Sequence, residues 1–300
     1  IFTSLGRVFT LKVHQLPEGG RYARGKPIVN LIQMDDNETI RTILPVREFT
    51  EDTYMIFATR QGLVKKTDAM AYSRVRSNGL KAIYFQEGDD LISVNVVQGE
   101  EHVMLTTRDG QAIRFPQTEI RATGRVSRGV IGVRLRDGDE VVSMEVLDPE
   151  KDVLSVTQHG YGKRTPTGEY RITKRGGRGV TTIKTTDRNG KVSGAIQVVD
   201  EDQVMLVTDG GMVIRFKVSD LRTMGRYTQG VRLVRLRDGE SVVGVERVAD
   251  VDEEDEEGVV SVDGEAVDGD EVAVEEEATA SETVDDEGDA DDAATDDGDE

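Results

Sequence analysis

Arginine recurs at fixed positions around a repeated glycine. When the sequence is aligned on Gly25, Gly79, Gly129, Gly179 and Gly230, an arginine stands four residues earlier in most copies: Arg21, Arg125, Arg175 and Arg226. One residue before the glycine come Arg24, Arg128 and Arg178. The second copy is shorter and out of step, and offers Arg74 and Arg76 instead. A segment upstream of each loop adds Lys65, Lys66, Arg114, Lys163, Arg164 and Arg215. Cations at a repeated spacing suit a polyanion with regularly spaced charge, and duplex DNA is one. Glycines let a backbone approach a phosphate and offer it N–H donors. The same glycines would equally serve turns that need positive φ, with no ligand involved. Nothing in the loops resembles base readout, so contacts are expected on the DNA backbone and its shape.

Other chemistries find little support. There is no cysteine, which excludes disulfides and thiolate zinc sites. His14, His102 and His159 fall at unrelated places in the repeat and make no metal spacing. The loop "KRGGRG" is not followed by the Gly-Lys-Ser/Thr of a phosphate-binding P-loop. No nucleophile has a plausible base, and no apolar run reaches the roughly 18 residues of a membrane-spanning helix.

The elements that must carry the arginines are strands. A second set of glycines, Gly6, Gly62, Gly110, Gly160 and Gly211, lies at intervals of 56, 48, 50 and 51 residues. Three residues before each stands a threonine: Thr3, Thr59, Thr107, Thr157 and Thr208. Short apolar runs such as "YMIFAT" and "HVMLTT" lead into these threonines, and turns such as "RDGDE" close each unit. Each unit reads as strand, glycine turn, strand, basic loop, strand, Asx-Gly turn, strand. Four strands at a period near fifty residues point to an all-β, propeller-like pinwheel. Five blades are visible, the first incomplete. "PQTEIR" and "VSDLR" could each add a single helical turn.

Charge divides the chain. Residues 251–300 hold 25 Asp and Glu and no Lys or Arg, so the body has 38 basic and 58 − 25 = 33 acidic residues, a net of +5. The expected organisation is a folded domain over residues 1–249 and a disordered acidic tail over 250–300. The tail is expected to compete with DNA by contacting the basic rim of its own chain.

At residues 170–179, "YRITKRGGRG", the sequence resembles the C-terminal domain of the DNA gyrase A subunit family. That family carries a box of pattern Q-R-R-G-G-x-G, which matches here from Thr173 through Lys174, Arg175, Gly176, Gly177 and Arg178 to Gly179. "GRVSRGVIGVRLRDGD" and "MGRYTQGVRLVRLRDGE" resemble other blades of the same domain. Thr173 stands where the family has Gln, and Lys174 where it has Arg, so this loop reads as a copy of the box. The box itself is expected upstream of Ile1.

The resemblance implies a pinwheel of six blades that wraps duplex DNA around its rim. It implies an ATP-dependent type II topoisomerase introducing negative supercoils in the bacterial cytoplasm. Partners would be a second A subunit and the gyrase B subunit. The resemblance implies no cofactor in this piece, with ATP and Mg bound by other parts of the assembly. The catalytic tyrosine belongs to a separate domain, and none of Tyr22, Tyr54, Tyr72, Tyr84, Tyr161, Tyr170 and Tyr227 takes that role. Two rival readings are the related domain of topoisomerase IV and a protein-binding propeller with an acidic partner.

Overall fold

In the computed structural model, residues 1–18 and 25–248 are described. Arg21, Arg24 and the acidic tail lie outside them. The fold is the all-β, propeller-like pinwheel expected from the repeat.

Unit one supplies β1 (Phe2–Thr3), β2 (Arg7–Val8) and β3 (Ile40–Thr42). Unit two supplies β4 (Thr53–Thr59), β5 (Leu63–Asp68), β6 (Leu80–Lys81) and β7 (Leu91–Gln98). Unit three follows with β8 (His102–Thr107), β9 (Gln111–Pro116), β10 (Val130–Ile131) and β11 (Val141–Leu147). Unit four has β12 (Asp152–Thr157), β13 (Tyr161–Pro166), β14 (Val180–Thr181) and β15 (Val192–Val198). Unit five has β16 (Gln203–Thr208), β17 (Val213–Lys217), β18 (Val231–Arg232) and β19 (Val242–Val248).

The units are not self-contained sheets, and here the structure corrects the sequence reading. The strand orders are β3-β1-β2-β6, β10-β5-β4-β7, β11-β8-β9-β14, β15-β12-β13-β18 and β17-β16-β19. In units two to five the two-residue strand after the basic loop therefore crosses into the sheet of the preceding unit. Val130 pairs with Val64, Val180 with Ala112 and Val231 with Gly162. Among the described residues the fifth sheet has three strands rather than four. "PQTEIR" and "VSDLR" form 3-10 turns at Gln117–Glu119 and Val218–Asp220.

The recurring Thr-x-x-Gly closes the first hairpin. The glycine N–H donates to the threonine carbonyl, as in Gly62 to Thr59 and Gly110 to Thr107, both at 3.0 Å. The threonine hydroxyl accepts from the residue after the glycine, Leu63 on Thr59 and Gln111 on Thr107, both at 3.2 Å. A small side chain with one acceptor suffices, and it sits fully buried.

The hydrophobic core lies between sheets. One cluster joins Ile56, Val64 and Val97 of unit two to Leu105, Phe115 and Met144 of unit three. Another joins Leu154 and Val156 of unit four to Val204, Leu206 and Val245 of unit five. A blade covered on both faces has no polar side to its inner strands, which is why "YMIFAT" does not alternate. Packing is mostly aliphatic; the first interface adds Phe2 edge-on to Phe57, their centroids 5.5 Å apart. The long last strands also meet across units, with Asn95 Nδ2 donating to Met144 O at 3.1 Å. Beside them burial pushes the Glu145 carboxyl up to about 7, with Glu246 opposing its charge further.

Candidate nucleic-acid interface

The basic loops of units three, four and five are each stitched to the preceding unit by three recurring hydrogen bonds. The residue six before the loop glycine donates its N–H into the second strand of the preceding unit: Thr123 to Lys66 O, Thr173 to Arg114 O and Met224 to Arg164 O, at 2.8–2.9 Å. The residue three after the glycine donates to the earlier turn: Gly132 to Gly62 O, Thr182 to Gly110 O and Leu233 to Gly160 O, all at 2.8 Å. The carbonyl two before the glycine accepts from the preceding unit: Tyr84 N–H on Ser127 O, Arg134 on Gly177 O and Lys184 on Thr228 O, at 2.9–3.2 Å. In these three units the loop glycines Gly129, Gly179 and Gly230 pack backbone to backbone. Gly129 and Gly179 have φ of 99° and 80°, and a Cβ there would lie 2.6 Å from Val64 O and 2.5 Å from Ala112 O. Turn geometry and close approach thus account for these glycines without a ligand.

The expected cations fall into three groups. Lys65, Lys66, Arg114 and Lys163 are buried, where a surface position was expected. Their strand is covered by the loop of the next unit, so they point into the seam. Lys66 Nζ donates to Gln117 O at 3.2 Å and Arg114 NH1 to Thr167 O at 2.9 Å. Arg164 reaches the equivalent Val218 O at 3.5 Å and pairs with Asp152 and Asp200. At each of these three seams one cation therefore caps the 3-10 turn of the following unit. Arg114 also donates through Nε to His102 Nδ1 at 3.2 Å, and burial, with the nearby guanidinium, pushes His102 below its usual range. Burial pushes Lys66 and Arg114 below theirs as well.

Among the described residues the arginines four before the glycine, Arg125, Arg175 and Arg226, are half-buried. Arg175 NH1 donates to Ile131 O at 3.0 Å, and Arg226 NH1 to the equivalent Thr181 O at 3.1 Å. Arg175 also binds Glu119 O through Nε at 3.1 Å. These guanidiniums tie the loop down while keeping an open edge. Arg125 stands at the same position and is likewise half-buried.

Arg74, Arg76, Arg128, Lys174, Arg178 and Arg215 are exposed. Two further registers join them. Arg134, Lys184 and Arg235 stand five after the loop glycine, and Arg121, Arg171 and Arg222 stand eight before it; all are exposed. Counting from the same glycines would have found both sets. The bond from Arg134 to Gly177 O places one of these cations next to Arg178 of the following loop. The exposed cations thus run from one unit to the next across the seams. Among the described residues no group of three or more His, Asp or Glu side chains could hold a metal, and no helix is long and apolar enough to cross a membrane.

The sequence profile of the DNA gyrase C-terminal domain, beta-propeller, matches five times, over residues 1–47, 53–98, 101–148, 151–198 and 202–249. The DNA gyrase A subunit of Halalkalibacterium halodurans is 54% identical over 254 residues, covering 84% of this chain and 30% of that protein. The DNA gyrase A subunit of Escherichia coli K12 is 46% identical over 271 residues, covering 90% and 31%. The chain therefore spans less than a third of these relatives. The crystallised C-terminal domain of DNA topoisomerase IV superposes with a TM-score of 0.76 at 29% identity, covering 82% of this chain and 77% of that one. A DNA gyrase A C-terminal domain superposes with a TM-score of 0.74 at 25% identity, covering 83% and 81%. Five repeat matches over nearly all of the described residues, each coinciding with one structural unit, place the chain in the DNA gyrase C-terminal domain family.

Proposed function

We propose that this chain is the DNA-wrapping domain of a gyrase A subunit, with no catalytic group of its own. Duplex DNA would lie along the exposed cations, held by phosphate contacts and bent by following the loops from unit to unit. The observation that carries the reading is the register of exposed Arg and Lys across consecutive seams. A protein-binding surface gains nothing from repeating one charge at each blade, whereas phosphates recur along a duplex. In the cytoplasmic holoenzyme, a second A subunit together with the B subunit would complete the machine. ATP and Mg would bind there and not to this chain, and the wrap would bias strand passage toward negative supercoils. The acidic tail, with 25 carboxylates over residues 251–300, would compete in cis for the same cations.

The test is a titration with plain duplex of several sequences at about 50 mM and about 200 mM salt, using the full chain and a version ending at Asp250. Binding should be indifferent to sequence and fall steeply with salt. The shortened chain should bind more tightly, with the gap narrowing at the higher salt. Affinity independent of salt would overturn the reading, and equal affinity of the two chains would remove the tail from it.

A further inference from the structure

Two lysines lie beneath the basic loops instead of on them. The third residue after each hairpin glycine is Phe9, Lys65, Ile113, Lys163 and Ile214 along the five units. Lys65 and Lys163 are each only 1% exposed. Lys65 Nζ donates to Arg125 O at 2.6 Å and to Ala82 O. Lys163 Nζ donates to Gly225 O and Arg226 O, both at 2.5 Å. For both lysines one accepting carbonyl belongs to the arginine four before the loop glycine.

The loop of unit four is held differently. Ile113 takes the lysine's place beneath it, and this loop is the one with paired glycines, where a Cβ on Gly177 would lie 3.4 Å from Ile113 Cδ1. That loop is fixed by Gly176 N–H on Gly132 O at 2.6 Å and by the Arg175 guanidinium. Loops three and five are thus anchored from below by a cation, and loop four by its backbone and an apolar contact.

We propose that Lys65 and Lys163 are positioning residues for DNA binding, whose charged ammonium groups fix the loops carrying Arg125 and Arg226 and grip harder once phosphate neutralises those arginines. The proposal rests on the DNA-binding reading above. Around Lys65 the titratable and charged groups are Arg125 and Tyr72, with the Phe57 ring 4.9 Å from Nζ. Beside Lys163 stands Arg226, with Tyr170 also near that guanidinium. No carboxylate among the described residues pairs with either lysine. Burial, and then the like charge of the arginine, push both lysines down to about 7. A phosphate on Arg125 or Arg226 cancels that like charge and favours the protonated lysine. DNA binding therefore takes up protons. Affinity is greatest below pH 7 and declines as pH rises through the depressed range, well clear of Tyr72, which burial pushes up to about 12.

Two measurements on the full chain test this, with Lys65→Met/Lys163→Met as the variant. The first is affinity for one plain duplex between about pH 6 and pH 9 at fixed salt; the second is amide exchange of the free chain. Wild-type affinity should drop about tenfold over that range, the size of one charge-assisted hydrogen bond, while the variant is weak throughout and flat. Without DNA, the amides of Thr123 and Met224 should exchange faster in the variant, and that of Thr173, over Ile113, should not change. Parallel pH profiles for the two proteins, or equal exchange at Thr123 and Met224, would overturn the proposal. Should the variant not fold, a flat wild-type profile is sufficient to overturn it. A wild-type chain that binds no DNA at any pH defeats the functional reading instead, and the exchange data still decide whether the lysines hold the loops.

Discussion

Replacing Arg128, Arg134, Lys174 and Arg178 together by alanine is expected to abolish most DNA binding while leaving the fold intact. All are exposed, and no carboxylate among the described residues pairs with them, so truncation removes charge without opening a core. Arg134, Lys174 and Arg178 meet at the seam between units three and four, where Arg134 N–H bonds the carbonyl beside Arg178, and Arg128 stands on the loop at the preceding seam. Each phosphate contact contributes about 0.9 to the salt slope, so four lost contacts should flatten it by about 3.6. If binding near 1 M salt is unchanged, that slope corresponds to a loss of about 5 × 10⁴-fold at about 50 mM salt and about 3 × 10²-fold at about 200 mM. The loss should be the same for every duplex sequence, because none of these groups is placed to read bases. The check is a salt series by fluorescence anisotropy, with the thermal midpoint as a control. A folded variant whose slope equals that of the wild type would remove these residues from the interface.

Gly179→Ala is expected to damage stability as severely as the belt variant damages binding. The glycine sits at φ 80°, where an L side chain costs roughly 1–2 kcal/mol by itself. An added Cβ would also lie 2.5 Å from Ala112 O, a backbone atom of the preceding unit that cannot swing aside. Relief requires parting β14 from β9, where Val180 pairs with Ala112. A combined cost of about 3 kcal/mol lowers the melting temperature of a domain this size by roughly 6–12 °C. Gly124→Ala is the matched control, since nothing lies within 4 Å of a Cβ built there. Equal midpoints for the two variants would mean that the seam yields more easily than its geometry implies. A Gly179→Ala chain that melts normally but loses DNA would instead point to direct phosphate contact by this glycine.

The repeat carried most of the fold in plain view. Thr-x-x-Gly marks a hairpin because one hydroxyl and one N–H close it, and both requirements leave a residue type behind. Strand exchange was hidden for an equally physical reason. Val130–Ile131 and Val180–Thr181 are two-residue strands, too short for any pattern to say which sheet they join. That exchange then decided the fate of the lysines. Lys65 and Lys163 look like surface cations beside a basic loop, and only the crossing of the next unit over their strand buries them. Arg134, Lys184 and Arg235 show the opposite effect. They stand between the basic loop and the Asx-Gly turn, in a segment that reads as the third strand, yet the N–H bonds of Arg134 and Lys184 to the next loop bring that register onto the basic surface. In the box-like loop, Thr173 departs from the family's Gln, and its structural work is done by its N–H and hydroxyl on Arg114 O, at 2.9 and 3.2 Å. The first of these bonds is open to any residue with a backbone N–H.

Wrapping is the central claim, and topology measures it directly. Closed-circular DNA is relaxed by a nicking-closing enzyme in the presence of increasing amounts of the chain, then stripped of protein and resolved on a gel. A duplex that follows the exposed cations from seam to seam is held in a curved path, so the recovered circles should carry a linking-number shift of one sign that grows with protein. The variant lacking Arg128, Arg134, Lys174 and Arg178 should leave the distribution centred where free DNA leaves it. Tight, salt-sensitive binding by the wild-type chain with no shift in linking number would contradict the account.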